Sequence, residues 1–227
     1  MSTDLAFEVA SPESAAARLD AEAIHLWRIP YVASQRRTPL LELLGAYLGK
    51  PASEVTLAEN HHGKPSLTEV HGNPASAPSL EFNWSHSGDY ALIALSRATP
   101  LGVDIERLDK KLRVVEIARR FFDQGEAEVV ASLTPPTREH AFIALWCAKE
   151  AVLKAAGEGL SFGLARLAFE RRAEFDWQPA HLDAALGRAD EWRLIGFAAA
   201  AGYRGALAWR GGSRTIAAFR LPGAELR

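Results

Sequence analysis

A short apolar segment that carries two carboxylates constrains the middle of this chain more than any other feature. It reads Gly102-Val103-Asp104-Ile105-Glu106. Side chains of a β-strand point alternately to opposite faces, so this alternation predicts a strand with Asp104 and Glu106 on one face. Adjacent carboxylates repel each other, and burying them costs free energy unless a cation lies between them. The segment therefore predicts either a divalent metal site or the exposed face of an edge strand.

Composition narrows the class of protein. The 227 residues are 48% hydrophobic and 24% charged, which is typical of a globular chain with one ordinary domain or two small ones. A net charge of −2 argues against a generally basic nucleic-acid-binding protein. The single cysteine, Cys147, excludes a disulfide framework or a cysteine-based zinc site, and we interpret it as a packing residue.

The sequence also carries information about location. The first ten residues contain acidic side chains and no apolar core, so we expect no signal peptide. No apolar run approaches the roughly 20 residues of a membrane helix. A lone cysteine is typical of a reducing compartment. Together these features predict a cytoplasmic protein without a membrane segment.

Helix and strand signals alternate along the chain and predict an α+β fold. Cap residues and apolar spacing predict helices after Ser11-Pro12 and Thr38-Pro39 and at residues 114–122, 125–133 and 137–156. Strand patterns cover residues 24–29, 53–58, 90–95, 102–106, 167–170, 192–200, 206–209 and 215–221, whereas the polar residues 85–88 are predicted to form a loop. We therefore expect two similar lobes, residues 1–101 and 102–227, each a small β-sheet packed against a long helix.

The predicted helix at residues 137–156 supplies a third carboxylate and a lysine. Trp146, Glu150 and Lys154 are spaced i, i+4, i+8 and should share one face. One interpretation is a solvated Glu–Lys pair, which stabilises a helix by about 0.2–0.5 kcal/mol. The other is that Glu150 joins Asp104 and Glu106 in a Mg²⁺ site completed by water and substrate phosphates. Lys154, one turn further along, would then meet a phosphate.

Other polar residues carry weaker signals. Ser85-His86 lacks the surroundings of a nucleophile elbow, and is interpreted either as a donor pair for phosphate or as a plain turn. Three histidines match no metal-binding spacing and are interpreted as surface residues: His61, His62 and His71. A basic cluster is either a solvated face or a dock for an acidic partner: Lys110, Lys111, Arg113, Arg119 and Arg120.

Three segments in this order resemble the 4′-phosphopantetheinyl transferase superfamily, in particular its longer monomeric type that serves peptide- and polyketide-synthase carrier proteins. The segments are Asn83-Trp84-Ser85-His86-Ser87, residues 102–106, and Trp146-Cys147-Ala148-Lys149-Glu150-Ala151-Val152-Leu153-Lys154. Gly63-Lys64-Pro65 and Arg119-Arg120-Phe121-Phe122 also match the pattern of that family. The matching stretch covers roughly residues 60 to 163.

The resemblance implies an α+β fold of two lobes related by pseudo-twofold symmetry, with the active site in the cleft between them. It implies transfer of 4′-phosphopantetheine from coenzyme A to a serine of an acyl or peptidyl carrier protein, releasing adenosine 3′,5′-bisphosphate. By the same resemblance Asp104, Glu106 and Glu150 hold Mg²⁺, or Mn²⁺ in its place. Lys154 contacts the phosphate and helps to protonate the leaving group. Either Glu150 or a metal-bound water accepts the serine proton.

The resemblance also implies a binding surface for coenzyme A. Ser85, His86 and Lys64 would bind its phosphates, and Arg37 and Thr38 would contact the adenine and the 3′-phosphate. The chain departs from the family here. Family members usually carry a longer basic segment before the first long helix, whereas this chain has about eight residues there with two arginines.

Two alternatives stay open beside a monomeric transferase. One is a shortened relative that binds coenzyme A or a carrier protein without transferring the group. The other is a Mg²⁺-dependent phosphohydrolase that uses the same three carboxylates.

Overall fold

Strands and helices alternate through the described part of the protein, which is residues 5–68 and 79–223 of a computed structural model. His71 lies outside these residues. The strands are, in chain order, β1 (Glu8–Val9), β2 (Ala23–Pro30), β3 (Leu57–Glu59), β4 (Pro65–Leu67), β5 (Leu80–Ser87), β6 (Tyr90–Arg97), β7 (Leu101–Arg107), β8 (Leu167–Ala173), β9 (Asp176–Leu182), β10 (Trp192–Ala200), β11 (Tyr203–Arg210) and β12 (Thr215–Arg220). The α-helices are α1 (Pro12–Ala16), α2 (Thr38–Leu48), α3 (Val114–Phe121), α4 (Gln124–Ser132) and α5 (Thr137–Ala156).

Two principal β-sheets carry the fold. A five-stranded sheet has the order β1-β12-β2-β6-β5, parallel at β1–β12 and β12–β2 and antiparallel elsewhere. A three-stranded antiparallel sheet has the order β10-β11-β7. The hairpins β3–β4 and β8–β9 form two further small sheets. Because β12 pairs with β2, the sheets do not divide at a single point of the chain. The lobe boundary at residue 102 and the pseudo-twofold relation remain predictions.

Helix α2 packs on the five-stranded sheet because its apolar residues recur at helical spacing. Leu40, Leu43, Leu44 and Tyr47 are all buried. They belong to one apolar cluster with residues of β2, β5 and β6. Gly49 ends the helix with a left-handed φ of 66°, a conformation that favours glycine. The periodicity of the sequence therefore predicts this helix.

Helix α5 lies across the three-stranded sheet and makes close backbone contact with β7. It ends before Gly157, as the sequence predicts. The close approach depends on Gly102, because a Cβ there would lie 2.1 Å from the carbonyl oxygen of Ala151 and 2.4 Å from the amide nitrogen of Ala155. The glycine that begins the two-carboxylate segment thus lets strand and helix pack backbone to backbone.

Strand β5 joins the two sheets through its side chains. Asn83 is buried, and its Oδ1 accepts a 2.8 Å hydrogen bond from the amide of Val103 in β7. Ser87 is also buried, and its Oγ accepts a 3.3 Å hydrogen bond from the amide of Arg107. Alternate residues of a strand share a face, so Asn83, Ser85 and Ser87 all point towards β7. These three polar side chains therefore line the space between β5 and β7.

The α+β prediction is confirmed, and the differences concern particular segments. Residues 85–87 belong to β5 rather than to a loop, because their backbone pairs with residues 90–92 of β6 and the two serine hydroxyl groups bond to β7. The strand predicted at residues 53–58 is wrong in its first part, where Ala52–Glu54 form a 3-10 helix closed by a bond from the amide of Glu54 to the carbonyl of Pro51. Strand β9 has no counterpart among the predicted strands. No helix of the described residues is long and apolar enough to cross a bilayer.

Candidate active site

Asp104 lies at the centre of a polar cluster formed by β5, β7 and α5. Its side chain is only 6% exposed. Its Oδ1 accepts hydrogen bonds from Ser85 Oγ and from Lys154 Nζ, each at 2.7 Å. Its Oδ2 is buried and has no hydrogen-bond partner among the described residues. Leaving a buried acceptor without a donor is costly, so this oxygen is a candidate ligand atom.

Glu106 lies two residues further along β7, on the face that the strand pattern predicts. Its Oε2 accepts a 2.6 Å hydrogen bond from Ser87 Oγ and pairs with the ammonium group of Lys110. Asp104 and Glu106 are therefore each bonded by one serine of β5 and by one lysine.

Glu150 brings the third predicted carboxylate to the cluster. Its Oε1 is buried and lacks a hydrogen-bond partner within the described part of the chain. Burial raises the pKa of Glu150 to about 7, helped by the negative charges of Asp104 and Glu106 and opposed by Lys154. Glu150 stands one turn before Lys154 on α5, the helix that packs on β7. The side chain can exchange a proton near neutral pH.

Lys154 supplies the positive charge of the cluster. Its Nζ donates to Ser85 Oγ at 3.0 Å and to the carbonyl oxygen of Val103 at 3.3 Å, in addition to Asp104. Burial alone would lower the pKa of Lys154, but Asp104 and then Glu150 raise it above its ordinary value. The ammonium group therefore stays charged at neutral pH. Its bonds connect α5 to both β5 and β7.

The face of α5 that meets β7 differs from the predicted one. Trp146 instead packs against Phe122 and Phe142, with ring centroids 6.2 and 6.1 Å away. Cys147 lies on the side of Asp104, and burial, followed by that negative charge, raises the pKa of its thiol. A buried thiol of raised pKa is a packing residue, as predicted. The face of α5 that points into the site therefore carries Cys147, Glu150 and Lys154.

The three carboxylates offer the oxygen donors that Mg²⁺ prefers without forming a finished metal site. Within residues 5–68 and 79–223, no group of three or more His, Cys, Asp or Glu side chains is arranged to hold a metal ion. Lysines pair with Asp104 and Glu106 instead. However, Asp104 Oδ2 and Glu150 Oε1 are buried carboxylate oxygens to which no described residue donates, and carboxylate oxygens are typical ligands of Mg²⁺ and Mn²⁺. The donor chemistry therefore fits a divalent cation, provided that the lysine contacts rearrange.

His86 lies on the opposite face of β5 from the two serines. Its ring stacks on Tyr31, with centroids 4.5 Å apart, and lies 5.3 Å from the ring of Trp84. Partial burial and then the charge of Lys154 lower the pKa of His86, while Glu106 raises it. His86 is therefore close enough to the cluster to sense its charges, with its ring held by two aromatic neighbours.

The remaining predicted ligands of coenzyme A lie further from the carboxylates. Lys64 Nζ donates to the carbonyl oxygen of Lys154 at 2.6 Å, so it reaches α5 through the backbone. Arg37 pairs with Glu59 of β3. Thr38 is the first residue of α2 and is exposed. The structure thus brings Lys64 to the end of α5, and Arg37 to the β3–β4 hairpin.

Sequence reasoning assigned no role to Lys149, which is completely buried. Its Nζ lies 2.8 Å from Glu126 Oε2 and between the rings of Phe122 and Phe169. Glu126 Oε1 also accepts a 2.7 Å hydrogen bond from the amide of Phe169. This ion pair links α4, α5 and β8, and it fixes the rotation of the helix that presents the next residue, Glu150. Ser87 was also missed as a Glu106 partner, although the alternation from Asn83 could have revealed it.

A surface depression of about 1320 Å³ over β9 and β10 contains none of these residues. The fold and the cluster instead define a mixed α+β protein in which carboxylates, a lysine and hydroxyl donors meet at the junction of two sheets. This combination is suited to a substrate that carries phosphate groups.

Comparisons with known proteins agree with that class. A family model described as the 4′-phosphopantetheinyl transferase superfamily matches residues 100–206, and one described as the N-terminal part of 4′-phosphopantetheinyl transferases matches residues 36–98. The chain belongs to the 4′-phosphopantetheinyl transferase superfamily.

Curated relatives come from distant organisms. A putative 4′-phosphopantetheinyl transferase of Synechocystis sp. is 34% identical over 159 residues, which cover 70% of this chain and 61% of the relative. The 4′-phosphopantetheinyl transferase psf-1 of Bacillus pumilus is 33% identical over 156 residues, or 66% and 62% of the two chains. The human L-aminoadipate-semialdehyde dehydrogenase-phosphopantetheinyl transferase is 33% identical over 153 residues, or 65% and 47%. The matched region thus spans less than two thirds of each relative.

Proposed function

We propose that this protein transfers the 4′-phosphopantetheine group of coenzyme A to a serine of an apo acyl or peptidyl carrier protein, in a Mg²⁺-dependent reaction. The other product is adenosine 3′,5′-bisphosphate. The observation that carries the proposal is the contact of Lys154 with Asp104, with Glu150 one helical turn before Lys154. Among the described residues, one oxygen of Asp104 and one of Glu150 are buried without a hydrogen-bond donor. The superfamily to which the chain belongs supports the same reaction. We further propose that the protein acts as a cytoplasmic monomer.

Asp104, Glu106 and Glu150 would hold the Mg²⁺ ion. When bound, the ion would neutralise the pyrophosphate and polarise the reacting phosphorus. The pyrophosphate is stable in water, so the protein must neutralise its charge and align the carrier serine with the β-phosphorus. Direct ligation by all three side chains requires Lys154 to move from Asp104 Oδ1 towards the substrate.

Two groups are candidates for accepting the serine hydroxyl proton, Glu150 and a metal-bound water. The pKa of about 7 belongs to Glu150 without a cation, and a bound Mg²⁺ ion would lower it. The serine oxygen then bonds to the β-phosphorus as the bond from that phosphorus to the bridging oxygen breaks. Lys154, which stays charged, would donate a hydrogen bond or a proton to the departing phosphate.

Binding of coenzyme A is proposed to use the rim of the same cluster. Ser85 and His86 stand on opposite faces of β5, so a phosphate that reaches both must lie across the end of that strand. Lys64, Arg37 and Thr38 extend the surface along the hairpin and the start of α2. Arg37 must leave Glu59 before it can bind a phosphate. That competition supports weak binding of the nucleotide part.

The test is the mass of an apo carrier protein after incubation with this protein, coenzyme A and Mg²⁺. We expect the carrier to gain one phosphopantetheine, and Asp104→Asn to lower the rate by at least about 100-fold, because it removes a charged ligand. Asp190→Asn, which changes an exposed carboxylate paired with Arg188, is the control and should transfer normally. No mass gain across acyl and peptidyl carriers would overturn the proposal. Binding of coenzyme A without transfer would favour the non-transferring alternative.

A further inference from the structure

The ammonium group of Lys64 contacts backbone carbonyl groups of α5 and β7. Besides the 2.6 Å bond to the carbonyl of Lys154, Nζ lies 3.5 Å from the carbonyl oxygen of Leu101, the first residue of β7. The carbonyl of Lys154 also accepts a 3.2 Å bond from the amide of Gly157. The last carbonyl groups of a helix form the negative end of its dipole, so a cation there adds to the stability of the helix end. Lys64 therefore ties the end of α5 to the start of the strand that carries Asp104.

Asn60 makes a second connection to the same helix end. Its Nδ2 donates to the carbonyl oxygen of Gly157 at 2.9 Å. Its Oδ1 accepts from the amides of His62 at 3.0 Å and of Lys64 at 2.9 Å. One amide group thus folds the β3–β4 turn with its oxygen and reaches α5 with its nitrogen. The two functions belong to different atoms and can be separated by substitution.

His62 adds a third connection just beyond the helix. Its Nε2 lies 3.1 Å from Glu158 Oε2. A Cβ added at Gly159 would lie 3.4 Å from the His62 ring, so ring and backbone are in close contact. The turn therefore meets residues 154–159 through a lysine, an amide and an imidazole. Three side chains of one short turn thus contact the same six residues at the end of α5.

We propose that the β3–β4 turn is a clasp that fixes the carboxyl end of α5, with Asn60 and Lys64 as positioning residues for Lys154 in the transfer reaction. The role in catalysis rests on the proposed function. Lys154 Nζ sits 2.7 Å from Asp104 while its own carbonyl is held by Lys64. Freeing that end lets the last turn fray, and the ammonium group then loses its fixed position beside Asp104.

The most informative variant is Asn60→Asp. It retains Oδ1, and with it the bonds that fold the turn, but it places an oxygen opposite the carbonyl of Gly157. We expect kcat to fall about tenfold or more, since a misplacement of about 1 Å can cost about 100-fold. The Kd for coenzyme A, measured by calorimetry with Mg²⁺, should stay within about twofold. Asn60→Ala should match it or be worse, because it also loosens the turn.

Amide hydrogen exchange of residues 154–159 gives a readout that does not depend on transfer. We expect exchange to accelerate at least about tenfold in Asn60→Asp and in Lys64→Met, with the rest of α5 unchanged. Ser66→Ala, at an exposed position of β4 in the same hairpin, is the control and should leave exchange, kcat and Kd as in the wild type.

The outcomes separate the clasp from the proposed function. Faster exchange with lower kcat and unchanged Kd in Asn60→Asp supports the clasp. Unchanged exchange overturns it, and so does a variant whose Kd rises while kcat and exchange stay constant, because Lys64 would then serve phosphate alone. If the wild type fails to transfer, the proposed function fails. In that case the exchange measurement alone tests the clasp: faster exchange supports it, and unchanged exchange overturns it.

Discussion

The substitution Gly102→Ala tests how β7 and α5 are held together. The added methyl carbon would lie 2.1 Å from the carbonyl oxygen of Ala151 and 2.9 Å from Cβ of Lys154. Ordinary contacts begin at 3.4 Å, so the helix must retreat by roughly 1 Å. Overpacking of this kind costs about 1–3 kcal/mol. The retreat also moves Lys154 and Glu150 away from Asp104.

Function should therefore suffer more than stability. We expect the free energy of unfolding, measured with urea, to fall by about 1–3 kcal/mol, and the transfer rate to fall by about 100-fold. A rate measured well below the midpoint of thermal unfolding keeps the two effects apart. Gly212→Ala is the matched control, because a Cβ there meets no atom within 4 Å. Gly102→Ala with wild-type stability and rate would refute the packing of α5 on β7.

Three further predictions concern buried ionisable groups. Burial raises the pKa of Glu150 from 4.5 to about 7, so its contribution to stability is present below pH 4.5 and lost as the pH rises through 7. At pH 8 in the presence of a chelator, the free energy of unfolding of Glu150→Gln should therefore be about 3 kcal/mol higher than that of the wild type, although the variant loses transfer. Lys149→Met leaves Glu126 buried without its cation and should cost about 3–5 kcal/mol in urea unfolding, whereas adding Glu126→Gln should restore much of the loss. Burial lowers the pKa of His25 from 6.5 to about 4, so its contribution to stability is present above pH 6.5 and lost as the pH falls through 4. The midpoint of thermal unfolding should therefore fall less on acidification in His25→Gln than in the wild type.

Each of these has an outcome that contradicts it. Equal pH dependence of unfolding in Glu150→Gln and the wild type would mean that Glu150 is not buried against like charges. If the double variant of Lys149 and Glu126 is no more stable than Lys149→Met, an unpaired buried charge is not the cause of the loss. If His25→Gln and the wild type lose stability in parallel on acidification, another group is responsible.

Regular patterns explain what the sequence could predict. The bounds of α5 follow from helical periodicity and from Gly157, which supplies the left-handed conformation at its end. The alternation around Asp104 and Glu106 fixes both strand and face, independently of what packs on them. These features depend on residues close together in the chain, so the sequence contains them.

Features that depend on distant partners were missed. Ser85 and Ser87 are polar enough to suggest a loop, but they continue β5 because they pair with β6 and because the carboxylates of β7 accept their hydrogen bonds. Lys149 and Glu150 are adjacent in the chain, but Lys149 points towards α4 and β8, where Glu126 pairs with it, and Glu150 does not. Only the packing of α4 and β8 on α5 determines this difference. The bonds of Lys64 to α5 likewise join segments 90 residues apart. Sequence spacing contains no information about such contacts.

The most direct test follows both products in one reaction containing coenzyme A, Mg²⁺ and an apo carrier protein. Adenosine 3′,5′-bisphosphate is quantified by chromatography, and the modified carrier by intact mass. The account predicts equal amounts of the two products, and neither product when a chelator replaces Mg²⁺. Nucleotide release without modification of the carrier, or equal yields in the presence of the chelator, would contradict it.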